Sequence, residues 1–208
     1  MACLLPLGMQ AQQGTFRFAQ LTDIHLTPNN PNPTEDLLRS VAQINATDSI
    51  DFVLVTGDLT EEGDRTTMEK VKSCLDLLKV PYHVVLGNHE TKWSDSGCTA
   101  FGEIFGGERF EFEHKGFLFL GFNSGPLMRM AYGHVVPQDI RWMTEEMDKN
   151  GGLFYVVPGF LFGDVTTCLG GARQAHKQSH IPSDNAFFQV IYPYNRVPSF
   201  LCIFHKFV

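Results

Sequence analysis

The stretch VVLGNHE, residues 84–90, decides how this chain is organised. An apolar run of strand character ends at a glycine, and an amide, an imidazole and a carboxylate follow it. Two earlier stretches have the same form, AQLTDIH at residues 19–25 and FVLVTGD at residues 52–58. Each places groups that can bind metal or transfer a proton at the end of a predicted strand, so the three endings predict one shared site.

Amphipathic patterns separate the three predicted strands. A Pro/Asn loop follows the first strand and leads to a helix capped by Thr34, and an acidic loop follows the second and leads to a helix capped by Asp64. The third strand starts at Pro81. Strands that alternate with helices of this length predict an α/β fold with a largely parallel sheet. Ligands of such sheets bind beyond the carboxyl ends of the strands, where the polar clusters lie.

The pattern continues with a hairpin over residues 110–122, a helix opened by Pro137, and a short apolar run at 153–157 that has the length of a strand. The composition then changes, because only six of the 39 charged residues fall in the last 58 positions. Helix and strand periodicity also fade there. Residues 158–208 are therefore predicted to form an atypical tail, and residues 14–157 the main domain.

Composition narrows the class of protein. A chain of 208 residues with 43% hydrophobic content can bury the core of one domain. The net charge of −7 comes without a basic cluster, so a nucleic-acid partner is not favoured. The five cysteines include no CxxC pair, so neither a disulfide framework nor a cysteine zinc site is indicated. No apolar run is long enough to span a membrane, and the oligomeric state is not determined by the sequence.

The first residues have features of a secretion signal. Residues 1–13 contain an apolar run, a Pro-Leu-Gly break and a small residue before glutamine, although the usual basic start is missing. This segment is predicted to be the remnant of such a signal. A secreted or periplasmic protein is expected on that interpretation, and a cytoplasmic one without it.

The residues at the strand ends form a plausible set of metal ligands. Asp23, His25, Asp58 and Asn88 offer two carboxylates, an imidazole and an amide oxygen, which suit Mn, Fe or Zn. Asp23 and His25 would point the same way along an extended backbone, and Asp58 has the middle position expected of a carboxylate between two ions. Adjacent extended residues point opposite ways, so if Asn88 faces metal, His89 faces substrate.

In these three motifs the chain resembles the calcineurin-like metallophosphoesterases. The matching motifs are Asp23-x-His25, Gly57-Asp58 and Gly87-Asn88-His89-Glu90, listed here in chain order. The resemblance covers about residues 15–150 and implies an α/β/β/α sandwich. It also implies two divalent metal ions that serve the cleavage of phosphate mono- or diesters in small substrates. By this resemblance Asp23 and His25 bind the first ion, Asp58 bridges, Asn88 binds the second and His89 is catalytic.

The sequence departs from the family pattern after residue 150. The family has a later histidine and a closing Gly-His-x-His motif, whereas the one Gly-His here, Gly133-His134, is followed by two valines. A truncation or frameshift near residues 151–160 would explain the loss, and it would leave the second ion short of ligands. Two hypotheses follow: an active phosphoesterase, or a truncated, catalytically incompetent homologue that retains partial metal binding.

Overall fold

The computed structural model describes residues 16–126, 133–150, 153–158, 188–191 and 201–207. The predicted signal remnant at residues 1–13 lies outside these ranges, as does most of the predicted tail. The division of the chain at residues 13 and 157 therefore stays a prediction. No helix in the described ranges combines the length and the apolar character that crossing a membrane requires.

Up to residue 158 the elements follow one another in the predicted order, with one unpredicted short helix directly after the third strand. In chain order they are β1 Phe16–Thr22, α1 Asn32–Ala46, β2 Phe52–Thr56, α2 Arg65–Leu75, β3 Tyr82–Val85, α3 Asn88–Lys92, α4 Thr99–Phe105, β4 Phe110–His114, β5 Phe117–Phe122, α5 Pro137–Asn150, β6 Leu153–Pro158, β7 Phe188–Ile191 and β8 Leu201–Phe207. The expected strand over residues 153–157 is confirmed as β6. The strands β7 and β8 were not predicted, because a short apolar run does not by itself distinguish a strand from a buried helical segment.

The strands form two sheets. The larger sheet has the order β3-β2-β1-β8-β7, and β1, β2 and β3 are parallel as predicted. The prediction of a largely parallel sheet is wrong for its other side, because β8 pairs antiparallel with β1 and β7 antiparallel with β8. The smaller sheet has the order β4-β5-β6, with the predicted hairpin between β4 and β5. The site predicted at the strand ends thus belongs to the parallel side of the larger sheet.

The strand residues alternate between two cores. On β1, Ala19 and Leu21 face a core shared with α1, α2 and α4, whereas Phe16 and Phe18 face an aromatic core shared with the smaller sheet. The helix α5 lies against β5. The layers are therefore helices, sheet, sheet and helix, which confirms the predicted α/β/β/α sandwich in the described ranges.

The helix starts test the two predicted caps. The side chain of Asp64 accepts a hydrogen bond from the Thr67 backbone N–H at 2.9 Å, so this cap is confirmed. The cap predicted at Thr34 is wrong, because α1 begins two residues earlier, at Asn32. Proline is tolerated in the first turn of a helix, where its missing N–H has no intrahelical partner, so Pro33 does not delay the start.

The rim of the aromatic core contains a histidine that predicts a pH dependence of stability. The His83 ring stacks on Phe112 with centroids 3.8 Å apart, and burial lowers its pKa to about 4. In the unfolded chain the His83 imidazole becomes protonated near pH 6.5, whereas in the folded chain it becomes protonated only near pH 4. The contribution of the neutral His83 ring to the free energy of unfolding is therefore complete above about pH 6.5. It is lost as the pH falls towards 4. We expect the free energy of unfolding to fall by about 1–2 kcal/mol, a figure that already includes a reduction for the partial exposure of the ring.

Urea unfolding of the wild type and of His83→Phe, at about pH 7.5 and about pH 5, measures this effect. The variant should lose less stability on acidification than the wild type. His134→Phe is the matched control, since it makes the same substitution at an exposed position away from the aromatic core. Identical pH dependence in wild type and His83→Phe would contradict the prediction.

Candidate metal centre

The loops that leave β1 and β2 run side by side. The Asp23 backbone N–H donates to the Gly57 carbonyl at 3.3 Å, and the His25 N–H donates to the Asp58 carbonyl at 3.0 Å. Parallel pairing of β1 and β2 brings their carboxyl ends to one edge of the sheet, and these bonds continue the pairing into the loops. Two of the three predicted clusters are thereby held together by backbone contacts.

Three residues of the site have left-handed backbone conformations. The φ angles are 55° at Asp23, 49° at His25 and 49° at Asp58. Such a conformation costs a residue with a side chain about 1–2 kcal/mol, and clusters of it are typical of functional sites. The extended backbone expected for Asp23 and His25 is therefore wrong. The two side chains nevertheless approach each other, with His25 Nε2 3.9 Å from Asp23 Oδ1.

Side-chain atoms that can bind a metal converge on His25. One ligand atom from each of His25, Asp58 and His89 lies within 4.8 Å of the other two, and in the described ranges this is the one group of His, Cys, Asp and Glu with that spacing. The His25 Nε2 atom is 4.0 Å from Asp58 Oδ2, and the two imidazole rings meet edge to face with centroids 4.6 Å apart. Two imidazoles and a carboxylate are a borderline donor set that fits Zn, Mn or Fe.

Glu61 contacts both imidazoles through their Nδ1 atoms. The backbone carbonyl oxygen of Glu61 lies 2.5 Å from His89 Nδ1. The side-chain carboxylate of Glu61 lies 3.1 Å from His25 Nδ1. A carbonyl only accepts hydrogen bonds, so Nδ1 of His89 carries the proton and Nε2 of the neutral ring has a free lone pair. His25 Nδ1 is buried and not aligned for a hydrogen bond despite its short contact. Fixing Nδ1 is the usual way to aim an imidazole Nε2 at a metal or a substrate.

The charges of the cluster influence one another. The interaction with His25 lowers the pKa of Asp23, and the interaction with Asp23 raises the pKa of His25. Burial raises the pKa of Asp58, whose side chain is only 15% exposed. A divalent cation would compensate the cost of keeping this buried carboxylate ionised. The electrostatics therefore agree with the donor set in fitting a metal.

A buried carboxylate fixes the third cluster to the second. Glu90 is completely buried and accepts hydrogen bonds from the Thr60 N–H at 3.0 Å, the Thr60 hydroxyl at 3.1 Å and the Gly87 N–H at 2.9 Å. Burial raises its pKa. From sequence, Glu90 was only the last residue of the third motif. An acid three residues after the residue that caps the start of a helix, here Gly87, is a known capping signal, which would have indicated the bond to Gly87 but not those to Thr60.

Asn88 and His89 begin a helix rather than continue a strand. Both lie in α3, so the argument that they alternate along an extended backbone is wrong. His89 is held by its N–H, which donates to Asp58 Oδ1 at 3.1 Å, and its side chain joins the group around His25. Asn88 is half-buried and lines a cavity of about 500 Å³ together with His89. Its predicted role as a metal ligand stays a prediction.

This two-sheet sandwich, with imidazoles and carboxylates gathered at the carboxyl ends of parallel strands, places the chain among the α/β proteins whose ligands bind at such an edge. The chain belongs to the calcineurin-like phosphoesterase family, whose model matches residues 16–183. The family consists of hydrolases that use divalent metal ions. The resemblance seen in the sequence motifs is therefore confirmed.

Several proteins are similar to the chain over part of its length. A probable cyclic nucleotide phosphodiesterase of Rhodopseudomonas palustris is 33% identical over 98 residues, covering 44% of this chain and 34% of that protein. A 3',5'-cyclic-nucleotide phosphodiesterase of Nostoc is 24% identical over 136 residues, covering 62% and 50%. The uncharacterized protein YvnB of Bacillus subtilis is 26% identical over 118 residues, covering 49% and 9%. The chain thus matches half or less of the length of each of these relatives.

A solved structure is also similar. Purple acid phosphatase from yellow lupin seeds aligns with a TM-score of 0.42 and 14% sequence identity. The alignment covers 66% of this chain and 28% of the phosphatase.

Proposed function

We propose that the chain is a metal-dependent phosphoesterase that hydrolyses phosphate mono- or diesters, and that 3',5'-cyclic nucleotides are its most promising substrate class. The observation that carries this proposal is the convergence of His25, Asp58 and His89 at the strand ends of a phosphoesterase fold. Relatives in Rhodopseudomonas and Nostoc named as cyclic nucleotide phosphodiesterases support the substrate class. A small phosphoester is thus the expected partner.

The residues proposed to hold metal are Asp23, His25, Asp58 and Asn88, and Asp58 would be shared if two divalent ions bind. When bound, Mn, Fe or Zn ions would supply positive charge for phosphate oxygens and lower the pKa of water. The chain itself contributes the arrangement of these ligands. The backbone bonds between the first two loops and the Asp58–His89 contact hold the ligands before any metal binds.

His89 is proposed to act on the substrate. Its Nδ1–H is held by the Glu61 carbonyl at 2.5 Å, so its Nε2 is the atom available to the phosphate or the leaving oxygen. When Nε2 is also protonated, the imidazolium can give that proton to the departing alkoxide and return to the neutral ring, or it can stabilise developing negative charge. The nearby His25 ring limits the rotation of His89 from one side.

A second candidate function is a catalytically incompetent homologue that retains partial metal binding. The sequence favours it because the later histidine motifs were not found, so the second ion would rely on Asp58 and Asn88 alone. Sites with missing ligands lose metal affinity steeply.

Metal content and turnover distinguish the two candidates. The purified protein, loaded with Mn²⁺ or Zn²⁺ and desalted, is assayed for bound metal and for hydrolysis of p-nitrophenyl phosphate, bis-p-nitrophenyl phosphate and 3',5'-cyclic AMP. About two ions per chain, with turnover that chelation abolishes and metal restores, supports the phosphoesterase. A substoichiometric metal content without turnover supports the incompetent homologue.

The role of His89 is tested by His89→Ala. We expect turnover to fall about 10²- to 10⁴-fold, the typical contribution of a general acid or base, with the metal content unchanged. The same metal analysis and assays measure both quantities. His134→Ala, which removes an exposed imidazole, should change neither. A loss of bound metal in His89→Ala would instead make His89 a ligand.

A further inference from the structure

An exposed tryptophan stands next to the candidate metal centre. Trp93 follows α3 directly and its side chain is 50% exposed, which is unusual for a large aromatic residue. It lines the cavity of about 500 Å³ that contains Asn88 and His89. It also lines a neighbouring cavity of about 410 Å³, whose other walls include Ser94 and Ser96. Trp93 therefore separates a space beside the catalytic histidine from a second, polar space.

Lys92 adds a positive charge to the first cavity. Its ammonium lies 4.9 Å from the centroid of the Trp93 ring, and its side chain lines the cavity with His89. Among the described residues no salt bridge engages this ammonium, although Glu61 and Glu62 line the same cavity. A cation that is not paired with a carboxylate is available to an anionic ligand.

We propose that Trp93 and Lys92 form a binding site for the organic part of a phosphoester, in which a planar aromatic group such as a nucleobase stacks on Trp93 while Lys92 attracts the phosphate. The position of the phosphate rests on the proposed phosphoesterase function. The site selects nucleoside phosphates over phosphates without an aromatic group, because only the former bury the exposed indole face.

The size and chemistry of the two cavities agree with such a ligand. Each has a volume within the range of pockets for small organic molecules. Stacking of one base on an aromatic side chain tolerates any base, so the proposed site distinguishes nucleoside from non-nucleoside phosphates rather than one base from another. The Ser94 and Ser96 hydroxyls, 2.8 Å apart, line the second cavity together with Trp93 and offer polar contacts there.

The chain has only two tryptophans, which permits a direct test. In Trp142→Phe, Trp93 is the sole indole, and its fluorescence is titrated with AMP and with ribose 5-phosphate, with and without Mg²⁺. AMP and ribose 5-phosphate carry the same phosphate and differ in the base. We expect AMP to quench Trp93 fluorescence and to bind about tenfold more tightly than ribose 5-phosphate. The Trp93→Phe protein provides the inner-filter correction, and its remaining Trp142 should not respond.

Two further variants distinguish the contribution of Trp93 from that of Lys92. For each variant, the equilibrium binding of labelled AMP is measured, and ribose 5-phosphate is added as a competitor. Trp93→Ala should weaken AMP about tenfold and leave ribose 5-phosphate unchanged, whereas Lys92→Met should weaken both about two- to fivefold. Lys70→Met, on an exposed position of α2, should weaken neither. Equal affinity for AMP and ribose 5-phosphate, or no quenching, would overturn the proposal. Because these experiments measure binding and not turnover, failure of the proposed binding site is distinguishable from failure of the proposed function.

Discussion

Asp58→Asn is expected to lower phosphoester turnover at least about 10³-fold and to remove most of the bound metal. Asp58 is the carboxylate proposed between the two ions, and loss of the charge stabilisation that a metal provides amounts to several kcal/mol. Asparagine retains an oxygen that can accept the hydrogen bond from the His89 N–H, so the position of α3 is preserved. It also tolerates the left-handed φ of 49° at this position.

The same substitution should not destabilise the metal-free protein. Burial raises the pKa of Asp58, so ionisation above that pKa costs the folded state stability, and the neutral amide removes this cost. Asp48→Asn is the control, because it removes an identical charge from an exposed turn before β2, at the opposite end of that strand. Metal analysis, turnover and thermal unfolding after chelation measure the three effects. Full activity in Asp58→Asn would refute the assignment of the site.

Gly87→Ala is expected to lower the free energy of unfolding by about 2–4 kcal/mol, which corresponds to about 4–16 °C in the melting temperature. A Cβ atom at this position would lie 2.1 Å from both the backbone N and Oδ1 of Asp58. The backbone angles of Gly87, φ −98° and ψ −170°, are accessible to alanine, so the expected loss comes from the clash and not from backbone strain.

Relief of this clash requires the loops after β2 and β3 to move apart. That movement would displace Asp58 from His89, so we expect phosphoester turnover to fall together with stability. Gly102→Ala provides the control, since a Cβ there meets no atom within 4 Å. Alanine in α4 should be neutral or stabilise by up to about 1 kcal/mol. Thermal and urea unfolding of both variants measure the difference, and equal stabilities would contradict the close approach of the two loops.

The sequence predicts the architecture of residues 16–158 well because its signals there are local. Short runs of strand-favouring residues in β1 and β2 and helical spacing in α1 and α2 mark each element separately, and the Asp64 cap is recognised from a few residues. The strands β7 and β8 escaped prediction because β8 takes its place in the sheet by pairing with β1, about 185 residues away in the chain, and β7 by pairing with β8. Local patterns carry no information about such a partner.

For the candidate site, the sequence pointed to residues that the structure brings close together, although part of the reasoning was wrong. Asp23 and His25 do approach each other, but on a left-handed backbone instead of an extended one. His89 does lie beside Asp58, but as part of a helix. The motif spacing indicated that these residues meet, whereas the backbone conformation that brings them together is set by bonds between the loops.

The sequence by itself determined which strand ends carry the polar clusters, because the motifs at residues 23–25, 57–58 and 87–90 are evident from residue type and spacing alone. Only the tertiary structure decided how these clusters are held. It placed Glu61 between two imidazoles and buried Glu90 against Thr60, contacts that join residues about 30 positions or more apart. The physical reason is that residue type and spacing set what a side chain can bind, while the direction of an imidazole or a carboxylate depends on hydrogen bonds from other parts of the chain.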